Sequence, residues 1–409
     1  MKRFAYNQLL EWKKMDNSQL LLIGGVPRVG KTGLILQFAK TEFKKYLYYE
    51  TKSSLIKLQK DVEELESGSL IILDNLNGDK DTLFEVKQLS LKFDNIYFIL
   101  IDSFAKVARG ESRRIQLNYL IIYPLTFEEF LINVNYDLFC KLASINNILD
   151  LDKEFNDNIL KYFHDYLFVG GMPSVVELYI NSGLVYEEIR ENQALVFNEI
   201  LSRIDKFYKT TESKNLIKIL RLIFPTLVRE NRKFKLSDIS ISKRFTTFKS
   251  YFDILEKLNL VYITRQLKNN INDIDQKSMN IFLFDIGLLG FLGDVPHSLY
   301  NSYLLLNQIT VGLLQNFVAN ELYSTTNKKV FFWNHNMAKI EFVLVNDDYI
   351  LPIEVKNDLS GKLKSLNTFS SKFDISKKIR LNLSSPEKRA DVNIYPIYLI
   401  KNLYRKFIS

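Results

Sequence analysis

The stretch GGVPRVGKT, from Gly24 to Thr32, directly follows the apolar run LLLI and constrains this chain more than any other. Its glycines and its Lys-Thr pair stand at the G-x-x-x-x-G-K-[ST] spacing of a phosphate-binding loop. Glycines let the backbone wrap close around phosphate oxygens, and the loop leads into a helix whose first N–H groups favour an anion. Gly25, Val26, Pro27, Arg28, Val29, Gly30, Lys31, Thr32 and Gly33 are therefore the expected cradle for the phosphates of ATP. Lys31 is expected to reach the β- and γ-phosphates, and the Thr32 hydroxyl to sit on Mg2+. Both flanks agree: Leu20–Ile23 reads as a buried strand and Leu34–Ala39 as the start of an apolar-faced helix.

Further apolar runs recur with helical spacers between them: Tyr46–Tyr49, Leu70–Leu73, Ile96–Ile101 and Tyr119–Tyr123. With the first run they predict a doubly wound α/β domain on a five-stranded parallel sheet. The run SLIILDN ends on Asp74, where a carboxylate would hold Mg2+ directly or through water. Asn75 follows, at a position where ATPases of this arrangement usually carry Glu to polarise the attacking water. An amide can orient water but cannot take its proton. Either hydrolysis is slow or another carboxylate serves, and Glu50, closing the run YLYYE, is the candidate. Ser103, after the run IYFILID, stands where a polar sensor of the γ-phosphate would belong. Arg113 and Arg114 could supply a charge clamp, in cis or to a neighbouring copy.

The 409 residues are 47% hydrophobic and 25% charged, enough for several globular domains. A lone cysteine, Cys140, excludes a disulfide framework and fits a reducing cytoplasm. No run approaches the ~18 apolar residues of a membrane span, so no membrane partner is expected. The first residues lack the apolar core of a leader peptide and read as an amphipathic helix with Phe4, Leu9 and Trp12 on one side. Trp12 is expected to pack rather than to stack on a base.

Charge is unevenly spread over a net +8. Residues 213–270 hold 13 Lys+Arg against 4 Asp+Glu, and residues 361–409 hold 11 against 3, leaving a net −9 elsewhere. Basic islands on an acidic body suit double-stranded DNA, or equally two solvated lysine faces. Within the first island, Leu216–Leu227, a second start at SDIS, and Phe245–Leu258 read as three helices. VYITRQL follows as a β-wing, which makes the pattern of a winged helix-turn-helix. Lys243, Arg244 and Lys249 lie at or near the start of its third helix. Upstream, residues 125–212 read as helices opened by a Thr126/Glu129 capping box and broken by a turn at GGMP.

Near the C-terminus, VFFWNHNMAKIEFVLVNDDYILPIEVKN reads as three strands with a hairpin at Asn346-Asp347-Asp348. Glu341 stands on one strand, and Glu354 and Lys356 share one face of the next. An acid followed by E-x-K is the pattern of the PD-(D/E)XK nuclease core. There, Glu341 and Glu354 would hold Mg2+ and Lys356 would assist the attacking water. A hairpin with solvent-facing charges fits the same residues.

GGVPRVGKT, LIILDN, IDSF, Arg113-Arg114 and YPLTFEEF, in that order, resemble the prokaryotic AAA-type ATPases that carry a companion domain of unknown function. The resemblance continues through FVGGMPSVV, FLFDIGLL, FVANEL, KIEFVL and PIEVK, nearly the whole chain. It implies a P-loop ATPase domain over residues 1–135, a helical lid over 136–212, a winged helix over 213–280 and a nuclease-like α/β domain over 281–409. It also marks departures. Family members usually read Asp-Glu where Asp74-Asn75 stands, Gly-Ser where Asp102-Ser103 stands, Glu-Ile-Asp at Lys339-Ile340-Glu341, and Glu at Gln315. The expectation is an ATP- and Mg2+-binding switch of the cytoplasm, slow in hydrolysis, with a DNA-binding tail and a nuclease-like fold that is used for binding or is inactive. An ATP-gated DNA nuclease and a non-hydrolysing interaction scaffold stay open, as does the choice between a homo-oligomer and another protein partner.

Overall fold

The five apolar runs form one sheet in the computed structural model. The structure describes residues 1–15, 20–50, 55–76, 79–102, 117–145, 151–229, 234, 245–301, 308–325, 329–345, 349–356, 363–384, 386–389 and 392–408. These divide into two compact units, Met1–Pro124 with Ile254–Leu260, and Leu125–Asp253 with Val261–Ser409. Ser103, Arg113, Arg114, Lys243, Arg244, the SDIS helix start and the hairpin at 346–348 lie outside the described residues.

In the first unit, β1 (Leu20–Gly24), β2 (Tyr46–Tyr49), β3 (Leu70–Leu73), β4 (Tyr97–Ile101) and β5 (Asn118–Ile121) run parallel in the order β2-β3-β4-β1-β5. The helices α1 (Ala5–Lys14), α2 (Lys31–Glu42), α3 (Leu55–Glu63) and α4 (Lys80–Lys92) accompany them. Continuous apolar runs suit this sheet because β1 and β3 are buried along their whole length. β4 lies between β1 and β3, so the phosphate-loop strand and the Asp74 strand are separated by one strand in space. Trp12 is a packing residue: it is buried, with its ring edge-on to Tyr97 and tilted against Phe38.

The second unit opens with helices, as the capping box predicts. α5 (Phe127–Val134) begins at Thr126, whose hydroxyl caps Glu129 N–H while the Glu129 carboxylate accepts Thr126 N–H. α6 (Tyr136–Ser144), α7 (Lys153–Val169), α8 (Pro173–Ser182), α9 (Tyr186–Phe207) and α10 (Thr210–Leu227) follow. α11 (Phe245–Lys257) carries the exposed Lys249.

An eight-stranded mixed sheet forms the rest, in the order β12-β13-β11-β10-β9-β8-β6-β7. Its strands are β6 (Val261–Leu267), β7 (Ile274–Leu283), β8 (Lys329–His335), β9 (Ala338–Val345), β10 (Ile350–Val355), β11 (Lys378–Asn382), β12 (Glu387–Arg389) and β13 (Val392–Pro396). VYITRQL, read above as a wing, is β6. It pairs antiparallel with β7 and parallel with β8, and so belongs to the same sheet as the Glu341 and Glu354 strands. Its first four residues are all buried, where a solvent-facing wing would alternate. The helices α12 (Ile286–Leu292), α13 (Gln308–Thr325), α14 (Lys364–Phe373) and α15 (Ile400–Ile408) complete the unit.

The motifs quoted from this half of the chain meet one another. Gly171 of GGMP donates its N–H to the Asp285 carboxylate of FLFDIGLL at 2.7 Å and accepts Leu125 N–H at 2.7 Å. A Cβ on Gly171 would stand 2.2 Å from Leu125 O, so the chains approach here as only glycine allows. Glu321 of FVANEL accepts Phe127 N–H at 2.8 Å, and Lys401 donates to the Thr126 hydroxyl at 3.1 Å. Burial pushes Asp285 up to about 6 and Glu321 up to about 7. Among the described residues no helix is long and apolar enough to cross a membrane.

Candidate nucleotide site and a second carboxylate centre

The loop between β1 and α2 owes its shape to three positive-φ residues: Gly25 (φ 136°), Arg28 (φ 64°) and Gly30 (φ 86°). At Gly25 no other residue fits, because a Cβ would stand 2.3 Å from Ile122 O. Arg28 accepts a left-handed backbone at a cost of about 1–2 kcal/mol, part of the local strain such loops carry. Alternating backbone hands of this kind turn successive N–H groups inward, which makes an anion-binding concavity. Arg3 braces the loop from α1's approach, donating to Val29 O at 3.2 Å and to Tyr123 O.

Lys31 is buried, and its ammonium donates to Gly25 O at 2.9 Å and Val26 O at 2.8 Å, across the mouth of the loop. Beside it the Thr32 hydroxyl donates to Asp74 Oδ2 at 2.5 Å. Asp74 is buried, takes Asn75 N–H on Oδ1 at 2.7 Å, and receives the Tyr48 hydroxyl on Oδ2 at 3.1 Å. Burial first, and then the Asp74 charge, raise Tyr48 to about 12, so it stays a proton donor. Asn75 sits at φ 61°, a left-handed position that Asn tolerates better than Glu does. Glu50 is exposed, and its charge reaches Tyr48, which puts it beside this cluster. The structure thus gathers Lys31, Thr32, Asp74 and Asn75 at the ends of β1 and β3. Tyr48 was not singled out from sequence. Its signal is only the alternation of β2, which turns Tyr48 and Tyr49 to opposite faces.

This donor set fits a nucleotide phosphate with its divalent cation: a buried ammonium, an inward-turned loop, a hydroxyl and a carboxylate within one bond of each other. The comparisons agree for this part of the chain. Residues 17–131 match the AAA domain. Over these residues the chain is similar to AAA-type P-loop ATPases. Residues 160–298 match one domain of unknown function, DUF8612, and residues 312–400 another, DUF4143. No curated protein matches the chain. Among solved structures, a Walker-type ATPase of Pyrococcus abyssi is similar at 13% identity, covering 71% of this chain and 95% of its own, with a TM-score of 0.45. PCH-2 of C. elegans is similar at 14% identity, covering 49% of this chain and 66% of its own, with a TM-score of 0.29.

The second centre lies on the eight-stranded sheet. Glu341 on β9 and Glu354 on β10 are both buried, and Lys356 just past β10 is half-exposed. Lys356 Nζ lies 3.9 Å from Glu341 Oε1 and 3.9 Å from Glu354 Oε1, so the three converge. The other oxygens are engaged elsewhere. Glu341 Oε2 accepts Val355 N–H at 3.1 Å, and Glu354 Oε2 accepts Arg380 Nε at 2.8 Å and Nη2 at 2.7 Å. Burial and the neighbouring Glu341 charge raise the Glu354 pKa, opposed by Arg380 and Lys356. Arg380, fully buried on β11, escaped the sequence reading because only the parallel register Glu354↔Arg380 brings it here. Gln315 on α13 is buried, and among the described residues its Nε2 has no hydrogen-bond partner. Glu321, further along α13, turns to Phe127 instead. Among the described residues no group of three or more His, Cys, Asp or Glu could hold a metal. Two carboxylates completed by phosphate oxygens and water are a usual Mg2+ site.

Proposed function

We propose that the protein is an ATP- and Mg2+-binding AAA-type switch, slow in hydrolysis, whose nucleotide state governs a DNA-binding second half. The observation that carries the reading is the cluster of Lys31, Thr32 and Asp74 beside an inward-turned loop. Lys31 exchanges its two carbonyl partners for phosphate oxygens, and the loop N–H groups orient the phosphates. Thr32 and Asp74 would hold Mg2+, whose positive charge would offset the negative charge of the phosphate oxygens. Asn75 orients the attacking water without taking its proton, and Glu50 is the candidate base. Ser103, Arg113 and Arg114 keep their proposed sensor and clamp roles.

Slow hydrolysis gives a direct test. The parent should turn over below the ~1 s⁻¹ of ordinary phosphoryl-transfer enzymes, measured as phosphate release at saturating MgATP. Asn75→Glu should raise turnover about tenfold, even though Glu at a left-handed position costs about 1 kcal/mol. A parent turning over faster than that limit would remove the slow-switch reading.

For the tail, support comes from the two basic islands and from the exposed Lys249 on α11. Replacing Lys243, Arg244 and Lys249 together by Ala should weaken duplex DNA binding and flatten its log–log salt slope by up to ~3 units, because each neutralised phosphate releases counterions. Superimposable salt plots for parent and triple variant would make this region a protein-docking surface, in line with a scaffold or an oligomer.

The convergence of Glu341 Oε1 and Glu354 Oε1 on Lys356 supports a second reading, an ATP-gated, Mg2+-dependent DNA nuclease. The same DNA assay separates the two. Strand cleavage with Mg2+ that is lost in Glu354→Gln favours the nuclease, and intact DNA in the parent favours the binding tail.

A further inference from the structure

β2 reaches Asp74 by two routes. Tyr49 O accepts Asp74 N–H at 2.8 Å, and the Tyr48 hydroxyl donates to Asp74 Oδ2 at 3.1 Å. Strand alternation sends Tyr49 the other way, with its ring in the sheet core and its hydroxyl on Asp61. With Thr32 on the same Oδ2 and Asn75 N–H on Oδ1, the carboxylate takes three hydrogen bonds and has one orientation. This matters because a hydroxyl can serve a cation only through its lone pairs, so its proton must go elsewhere. Asp74 is the acceptor for the Thr32 proton, and whatever fixes Asp74 fixes the direction of the Thr32 lone pairs.

We infer that Tyr48 is a positioning residue of the nucleotide site: its hydroxyl holds Asp74 in the orientation that turns the Thr32 oxygen toward the divalent cation accompanying ATP. The inference rests on the nucleotide reading and adds to it a residue that the loop motif does not contain. Outer hydrogen bonds of this kind typically tune metal affinity by ten- to a hundredfold, and Tyr48, being 37% exposed, belongs at or below the lower end.

The test is Tyr48→Phe, with ATP binding followed by calorimetry in EDTA and across a Mg2+ titration. Phe fills the same space on a partly exposed strand. Affinity in EDTA should stay within about twofold of the parent, while the Mg2+ concentration that gives half of the tightening rises about three- to tenfold. In an Asp74→Asn background the same change should add nothing, as coupling through Asp74 requires. A Mg2+ titration superimposable on the parent's overturns the inference. So does an equal loss in the Asp74→Asn background, or a loss already present in EDTA, which would mark a merely structural role. A parent that binds no ATP under any condition fails the nucleotide reading itself. A parent that binds MgATP and is unaffected by Tyr48→Phe fails only the positioning role.

Discussion

Lys31→Ala loses MgATP affinity by about a hundredfold, the equivalent of a charge-assisted hydrogen bond to phosphate of nearly 3 kcal/mol. Calorimetry checks it, and a variant that binds like the parent removes the P-loop assignment. The folded protein should survive. Lys31 bonds to Gly25 O and Val26 O, and cutting it back to Ala leaves room for water to take the place of the ammonium. Stability should therefore fall by only about 1 kcal/mol. The positive-φ residues Gly25, Arg28 and Gly30 shape the loop's backbone.

The second large effect is on stability. Arg380→Met should destabilise the second unit by about 3–5 kcal/mol, because it leaves the buried Glu354 carboxylate facing Glu341 with only Lys356 to offset two charges. Adding Glu354→Gln should recover much of the loss, since removing both charges of a buried pair costs far less than removing one. Urea unfolding measures both variants. The transition of the first unit serves as an internal reference, since Arg380 and Glu354 both lie in the second. A single variant as stable as the parent would mean that the pair is hydrated and that the 2.7 and 2.8 Å bonds contribute little.

What could be read from the sequence was local. The phosphate loop, the five apolar strands and the Thr126/Glu129 capping box each involve residues within one turn or one strand of each other. Local propensity and period specify such features. Asp74 was legible for the same reason, at the end of an apolar run. Tyr48 was not, because YLYYE offers three tyrosines and the choice among them depends on which strand lies beside β2. Arg380 was hidden more deeply: its partner Glu354 is 26 residues away and is set by a parallel pairing that no short pattern encodes. VYITRQL reads as a wing because it directly follows the third helix of the pattern, which is a local signal. Its pairing with β8, some 65 residues on, is not, and that pairing makes it part of a large sheet.

The meeting of Leu125, Phe127, Gly171, Asp285 and Glu321 sets a schedule for the chain's birth. The bond from Phe127 N–H to Glu321 spans 194 residues. At ~5–20 residues per second a growing chain would take about 10–40 s to supply its second half. All five strands of the parallel sheet are complete by Ile121, so that sheet can assemble while translation continues. The helices α5 to α9 leave the ribosome before the segments that cover them exist. For that interval Phe163 and Tyr166 lack Phe317, the ring they finally meet. A chain cut short before residue 317 should therefore emerge with an ordered N-terminal sheet and a sticky helical tail, a natural client for chaperones.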